Sequence, residues 1–459
     1  MALRNESTTD VSTPEVAGRA VVPFRRRTRA GRLVETALDL LVPAEQRTFA
    51  TRLWDGSVLP SPRGQADWTF VVNTPAIFRQ IFLHPDELAL GEAFLRGDWD
   101  VEGELERVFE VAESVANYRP RPRDLFHLAP LLTLGDKHPD DGHAEEHRAD
   151  LHDDRAHTMT RDKQAIHYHY DVGNDFYALW LDKEMVYSCA YFATGTEDID
   201  TAQQAKLDHI CRKLRLQPGE RFLDVGCGWG ALVRHAVKHY GVSAVGITLS
   251  EEQAKLARER SAAEGLADRC QIELRDYRDL PTSWFDKAAS VGMAEHVGTA
   301  NLATYFGSVF RALRPGGLFL NHAIALRPQV HGRTDSMLGR RNHHSFIDKY
   351  VFPDGELQAI HRSLEFAEQA GFEVCDVETL RRHYALTLRQ WVRRLEARHA
   401  EAVAAADETT YRIWRLYMSG AAHNFQVDRL GLYQSLLSRP ETDGGCALPL
   451  TRADLYREA

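Results

Sequence analysis

The chain has 459 residues, 44% apolar and 27% charged, with a formal net charge of −10. At ~150 residues per domain that length predicts two or three domains, and the composition excludes wholesale disorder, a collagen and a small disulfide scaffold. The acidic balance argues against a nucleic-acid partner, which calls for a basic footprint.

Residues 1–20 are rich in Ser, Thr, Pro and Glu and are expected to be disordered. They lack the apolar core of a signal peptide. From Val16 to Val34 there are six arginines and no acid. Such a tract is either a solvated tail or a contact for anionic lipid, so residues 1–34 are read as a disordered basic arm. Residues 35–135 read as a small domain. Thr36-Ala-Leu-Asp-Leu-Leu-Val opens a helical pattern, and Asp67-Trp-Thr-Phe-Val-Val has the aromatic and β-branched content of a strand. Gly91 to Asp100 reads as a turn-rich segment, and Glu104 to Val115 resumes helical spacing. Residues 136–157 hold eight acids, three bases and five histidines. His and Asp are metal ligands, but the absence of apolar periodicity favours a solvated linker. A linker over 136–160 leaves 161–459 as a second, larger domain.

From Leu207 onward strands and helices alternate. Arg221-Phe-Leu-Asp-Val-Gly, Ser243-Ala-Val-Gly-Ile-Thr-Leu, Gln271-Ile-Glu-Leu-Arg, Phe285 to Gly292 and Gly317 to Ile324 read as strands. Ala231 to His239 and Glu251 to Ala263 read as helices, the second with Ser250 as its N-cap. This βαβ alternation predicts an α/β fold with a doubly wound, mostly parallel sheet. No run reaches the ~18 apolar residues of a membrane span. Cys189, Cys211, Cys227, Cys270, Cys375 and Cys446 show no CxxC spacing. No metal site or disulfide framework is expected from them, and a reducing, cytoplasmic compartment is the simplest reading.

The most informative segment is Leu223-Asp-Val-Gly-Cys-Gly-Trp-Gly-Ala. Gly226, Gly228 and Gly230 permit a sharp turn and a close ligand approach, because no Cβ intrudes. Their spacing is G-x-G-x-G, not the dinucleotide G-x-G-x-x-G. Asp224 would repel a pyrophosphate but suits a cation. S-adenosylmethionine, with its sulfonium and amino groups and no phosphate, is therefore favoured over NAD. A purely structural turn is the bland alternative. Downstream, Asp276-Tyr277-Arg278-Asp279 follows the third strand, where an adenine-contacting acid is expected. The second strand ends without a ribose-binding acid, and Thr248 and Gln253 are its polar stand-ins.

Five motifs then come in order: His169-Tyr-Asp-Val-Gly-Asn-Asp-Phe-Tyr, Met185-Val-Tyr-Ser-Cys-Ala-Tyr-Phe, Gln203-Gln-Ala-Lys-Leu, the Leu223 loop, and Val291-Gly-Met-Ala-Glu-His-Val-Gly. With Phe346 to Gly355 and His383 to Trp391, they make the sequence resemble the cyclopropane-fatty-acyl-phospholipid synthases and the related mycolic-acid methyltransferases. The likeness runs from about His167 to the end. Leu90-Gly-Glu-Ala-Phe-Leu-Arg-Gly-Asp-Trp extends it into the small N-terminal domain, of the lipid-binding type in full-length synthases.

The resemblance implies a Rossmann-like class I methyltransferase sheet. It implies methyl transfer from S-adenosylmethionine to the cis double bond of an unsaturated membrane phospholipid, and closure of a cyclopropane through a carbocation deprotonated by bound bicarbonate. It implies that Cys189, Glu295, His322, Ile324 and Tyr384 hold that anion, with His322, Tyr384 and the Ile324 N–H as donors. It puts Tyr187 and Ser188 at the methionine end of the cofactor. Asp224, Gly226, Gly228 and Gly230 fall in the loop, Thr248, Leu249 and Gln253 on the ribose side, and Asp276, Tyr277 and Arg278 on the adenine side. It further implies a homodimer at the inner face of the membrane.

Each residue has a bland alternative. Cys189 alone would be a small buried hydrophobe, and His322 a core histidine in an apolar strand. Tyr384 would extend the Leu388, Trp391, Val392 and Leu395 stripe, and Glu295 would be a helix-start acid. Competing functions are a methyltransferase that leaves a methylene or methyl branch, a non-catalytic lipid binder, and a methyltransferase of another substrate class. Segment 327–347, with four arginines and several histidines, is either a basic lid or an ordinary loop. The net charge itself divides: residues 136–157 contribute −5 (three bases against eight acids) and Val16 to Val34 contribute +6.

Overall fold

A computed structural model describes residues 28–83, 86–117, 121–134, 158, 161, 164, 172–327, 345–446 and 448–456. The arm up to Arg27, the acidic linker at 136–157, the tip of the basic segment at 328–344 and His169 to Asp171 lie outside the described residues.

The N-terminal region holds α1 (Arg29–Leu41), β1 (Phe49–Arg52), β2 (Val58–Leu59), β3 (Trp68–Val72), α2 (Ala76–Leu83), α3 (Glu87–Leu95), β4 (Trp99–Glu102), α4 (Arg107–Asn117) and α5 (Pro122–Leu128). Its four strands form a sheet in the order β2-β1-β3-β4. Two expectations change here. The first helix begins at Arg29, with the Thr28 hydroxyl accepting from the Gly31 N–H at 3.0 Å, so Arg29 and Arg32 belong to a capped helix rather than to an arm. Of the segment Gly91 to Asp100, read as turn-rich, only Arg96 to Asp98 turn: Gly91 to Leu95 complete α3 and Trp99 opens β4. Gly91 is there for packing: a Cβ would lie 2.4 Å from the Phe346 ring.

The second region opens with α6 (Asn174–Trp180) and α7 (Ile199–Leu214). Then come β5 (Arg221–Val225), α8 (Ala231–Tyr240), β6 (Ser243–Thr248), α9 (Glu251–Ala263), β7 (Cys270–Leu274), β8 (Phe285–Val291), α10 (Ala294–Val297), α11 (Leu302–Ala312) and β9 (Leu313–Leu326). The chain ends with α12 (Phe346–Tyr350), β10 (Gln358–Ala359), α13 (Ile360–Gln369), β11 (Glu373–Thr379), α14 (Arg381–Ala397), α15 (His399–Ala405), α16 (Glu408–Gln426) and β12 (Leu430–Ser438). The strands form one sheet in the order β11-β12-β9-β8-β5-β6-β7, with β10 paired to β9. β7, β6, β5, β8 and β9 run parallel, and β12 is antiparallel to both neighbours. The Ser250 cap of α9 is present, accepting from the Gln253 N–H at 3.3 Å.

β5 connects to β6 on one side, while β8 lies on the other. That reversal opens a crevice at the carboxyl end of β5, where doubly wound sheets bind ligands. One apolar core runs without a break from the N-terminal sheet through α16 to Trp180, Trp391 and Trp414. Charge pairs cross the same boundary: Asp100 on β4 accepts from Arg412 at 3.0 Å and Arg415 at 2.7 Å, and Glu106 pairs with Arg389 at 2.6 Å.

Candidate active site

After β5 the chain turns three times on glycines with positive φ: 82° at Gly226, 52° at Gly228 and 77° at Gly230. The three do different work. A Cβ on Gly228 would meet nothing within 4 Å, so its backbone faces open space. A Cβ on Gly230 would lie 3.0 Å from Ala257 Cβ, so this glycine lets α8 pack on α9. Two adjoining hollows, about 60 and 70 Å³, share Gly226, Gly228 and Gln253. The first is lined further by Thr248, Leu249, Asp276 and Tyr277, and the second by Tyr187, Ser188 and Asp224.

Two residues expected at the cofactor are not in either lining. Gly230 is a packing residue. Arg278 folds back, donating through Nε and Nη2 to Asp276 at 2.7 and 3.0 Å, while Arg275, Met293 and His296 line the hollow instead.

The second hollow is electrostatically unusual. Asp224 is buried, which pushes its carboxyl up to about 7 although Lys206 opposes the shift. Its Oδ1 has no hydrogen-bond partner among the described residues. Lys206 is buried too, which draws it down to about 8 against the pull of Asp182, Cys189 and Asp224. Its Nζ donates to Ser188 Oγ at 2.9 Å, and the Gln203 amide donates to the carbonyls of Val186 and Ser188 at 3.1 and 2.8 Å. One turn of α7 thus pins the Tyr187–Ser188 backbone. The signal was two polar residues, i and i+3, on an otherwise apolar helix face.

The five residues expected at the anion site lie on elements that neighbour one another around β9 and β12. Leu380, which caps α14, links Cys189 and Tyr384. Its carbonyl accepts from the Tyr384 N–H at 3.1 Å and lies 3.8 Å from Cys189 Sγ. Its N–H donates to Leu432 on β12, the register partner of Ile324 on β9. His322 follows on the same face of β9 two residues earlier. Cys189 is fully buried, which pushes its thiol far above the ordinary range.

One expectation is corrected. The Ile324 N–H does not point at an open site: it donates to Glu295 Oε1 at 2.7 Å. It therefore holds the carboxylate. Burial pushes Glu295 up to about 7, with the Ile324 hydrogen bond opposing the rise, and Oε2 has no partner among the described residues.

His322 is buried on every side, which holds it neutral, well below its ordinary value, with Lys206 and Lys213 adding to the effect. Its Nδ1 lies 3.2 Å from the Gln434 amide nitrogen, directly across the β9–β12 ladder. With Nδ1 accepting from Gln434, the proton of the neutral ring resides on Nε2. That Nε2 has no partner among the described residues. Gln434 is a positioning residue that no local sequence signal reveals, because its role depends on strand register.

Tyr187, which lines the second hollow, joins Tyr177, Trp180, Trp391 and Trp414 in an aromatic wall with ring centroids 5.3–5.9 Å apart. Tyr384 joins it through Trp391 and Phe425, at 6.1 and 4.7 Å. Elsewhere, Glu373, Cys375 and Cys446 bring their ligand atoms within 4.8 Å of one another, a grouping the linear spacing hides. Three donors are one short of a closed structural zinc site.

Residues 157–435 match the family model for mycolic acid cyclopropane synthetase. A probable fatty acid methyltransferase of Pseudomonas putida is 44% identical over 410 residues, covering 88% of this chain and 95% of that protein. The cyclopropane-fatty-acyl-phospholipid synthase of Escherichia coli is 35% identical over 386 residues, covering 83% and 90%. Among solved structures, mycolic acid cyclopropane synthase CmaA1 complexed with SAH and CTAB superposes with a TM-score of 0.55 at 32% identity, covering 60% of this chain and 98% of that one. The chain belongs to the cyclopropane synthase family and is an S-adenosylmethionine-dependent methyltransferase acting on lipid.

Proposed function

We propose that this enzyme methylates the cis double bond of an unsaturated acyl chain in a membrane phospholipid and closes a cyclopropane ring. The observation that carries this reading is a set of buried polar atoms without partners: Asp224 Oδ1, Glu295 Oε2 and His322 Nε2. Buried polar groups are ordinarily satisfied, so three such atoms at the carboxyl end of one sheet mark places for ligands.

S-adenosylmethionine supplies an electrophilic methyl group on a sulfonium. The ionised Asp224 carboxylate favours that cation, and the Gly228 backbone leaves it room. An alkene is a weak nucleophile with no proton to remove first, so positioning and exclusion of water dominate. The aromatic wall supplies both, and its ring faces attract the developing carbocation. Ring closure then requires a base that does not itself alkylate, and bicarbonate supplies that chemistry. The residues fit such an anion: His322 offers a fixed Nε2–H donor, and Glu295 offers Oε2 as acceptor for its hydroxyl. Ionised Glu295 also stabilises a nearby cation.

The Pseudomonas relative, named a probable fatty acid methyltransferase, favours a second reading: the same cation loses its proton without closing a ring and leaves a methylene branch, which becomes a methyl branch only with a separate hydride donor. No described helix is long and apolar enough to cross a membrane, so in either case the enzyme would meet its substrate at the bilayer surface. The test is incubation with S-adenosylmethionine and monounsaturated phospholipid vesicles, then gas chromatography–mass spectrometry of the fatty-acid esters. A ring product is expected, a branched chain selects the second reading, and no methylated lipid overturns both.

A further inference from the structure

A third cavity lies away from the two cofactor hollows. It measures about 220 Å³ and is enclosed by the N-terminal sheet, α1 to α4, α12 and one face of α16. Its walls are apolar, with Phe49, Trp68, Phe78, Trp99, Phe109 and Phe346 the largest contributors. Glu113 closes one part of it, paired to His423 at 2.5 Å and Arg429 at 2.7 Å, so the charge there is matched within the protein. Glu87 is the other carboxyl in the lining. Its Oε2 has no partner among the described residues, and burial, with the nearby Asp86, pushes it up to about 8. It is therefore mostly neutral at pH 7. A phosphate or other head group finds no free cation inside such a lining, but an alkyl chain does not need one.

The position of the cavity narrows the occupant. None of Tyr187, Glu295, His322 or Tyr384 lines it. Helix α16 stands between: Leu416, Gly420, Ala421 and Asn424 face the cavity, while Trp414 and Phe425 touch Tyr187 and Tyr384. A chain whose double bond reacts beside Tyr384 cannot fill this space at the same point. Yet the two spaces are close. Phe346 and Ile347 of α12 line the cavity, and Phe352, just beyond α12, touches both Tyr417 of the cavity wall (5.6 Å) and His296 of the cofactor hollow (5.7 Å).

We infer that this cavity seats the second, non-reacting acyl chain of a two-chain lipid while the unsaturated chain reacts in the crevice. The inference rests on the proposed lipid reaction and adds that the N-terminal region selects substrates with two chains. Burying as few as two methylenes is worth roughly tenfold in affinity.

Ala112 on α4 and Ala421 on α16 both line the cavity. Ala112→Trp and, separately, Ala421→Phe fill the space. Full-length enzyme is assayed on a diacyl phospholipid with one saturated and one monounsaturated chain, and on the lysophospholipid carrying the monounsaturated chain alone. The parent is expected to prefer the diacyl lipid in kcat/KM by about tenfold or more, and either filled variant that keeps its melting temperature is expected to lose that preference. A parent without the preference, or a folded variant that retains it, overturns the inference. A second arm reads binding without turnover: a nitroxide on the saturated chain should quench Trp68 and Trp99, and Trp68→Phe with Trp99→Phe should remove that quenching. Quenching without methylated product from any lipid would refute the proposed reaction and leave the chain seat standing. Product without quenching would do the reverse.

Discussion

The boundary between the N-terminal region and α16 and the crevice beside the aromatic wall both bury charge, and they treat it in opposite ways. At the boundary every named charge meets its opposite. Arg415 donates to Asp100 and Glu396 at 2.7 Å each, Arg412 to Asp100, and Arg389 to Glu106. In the crevice Asp224, Glu295 and His322 each keep a buried polar atom without a partner among the described residues. A matched buried pair holds geometry and offers nothing to a ligand. An unmatched one is a standing penalty that a ligand relieves. The first arrangement belongs to assembly and the second to chemistry.

The contrast can be broken from either side. Glu295→Gln keeps an oxygen to accept from the Ile324 N–H and removes only the charge. Turnover should fall by ~10²-fold or more with S-adenosylmethionine affinity nearly unchanged, as measured by steady-state kinetics and calorimetry. Asp100→Asn attacks the other side, leaving Arg412 and Arg415 without their shared partner. The loss should be about 2–4 kcal/mol of stability, read by denaturant unfolding, with kcat on folded protein retained.

The same contrast has a pH signature. Burial alone would raise Asp100, but Arg412 and Arg415 outweigh it and hold the group below its ordinary value of 3.8. A depressed carboxyl contributes stability that is present above its unfolded value and lost as pH falls through the folded one. The boundary should therefore weaken in acid, below about pH 4. Asp224 behaves oppositely, since burial lifts it to about 7. A cationic cofactor favours its ionised form, so S-adenosylmethionine affinity should fall by up to about tenfold per pH unit below 7. Calorimetry from pH 5.5 to 8 would show this, and Asp224→Asn should abolish the slope.

The smallest effect sharpens the crevice itself. Gln434→Leu frees Nδ1 of His322, and Gln434→Glu reverses the hydrogen bond so that Nδ1 carries the proton. Both should lower kcat several-fold, roughly 1 kcal/mol for one neutral hydrogen bond, with KM for the cofactor unaltered. A loss in the Glu variant that varies with pH would separate tautomer control from simple packing.

Much of this was legible in the sequence because it is local. The β5 loop announces itself by three glycines after an apolar strand, and α9 by Ser250 before two acids. What stayed hidden depends on partners far along the chain. Gly91 looks like a turn until Phe346, on α12, is seen occupying the space of its Cβ. The Ile324 N–H looks available until Glu295 is seen accepting it. Gln434 acquires meaning only when antiparallel register sets it opposite His322. Arg278 belongs to the right segment, yet a carboxylate two residues away captures it.

Helix α16 has one further consequence, for modularity. CmaA1 aligns over 98% of its own length with only 60% of this chain, so the methyltransferase sheet exists in a relative of little more than that size. In the present chain α16 is apolar on two sides, with Leu416 and Ala421 turned to the N-terminal region and Trp414 and Phe425 to the crevice. The catalytic half cut from this chain would carry a bare sticky flank and call for a substitute cover. Shortening such an enzyme is therefore a problem of re-surfacing one helix rather than of deleting a segment.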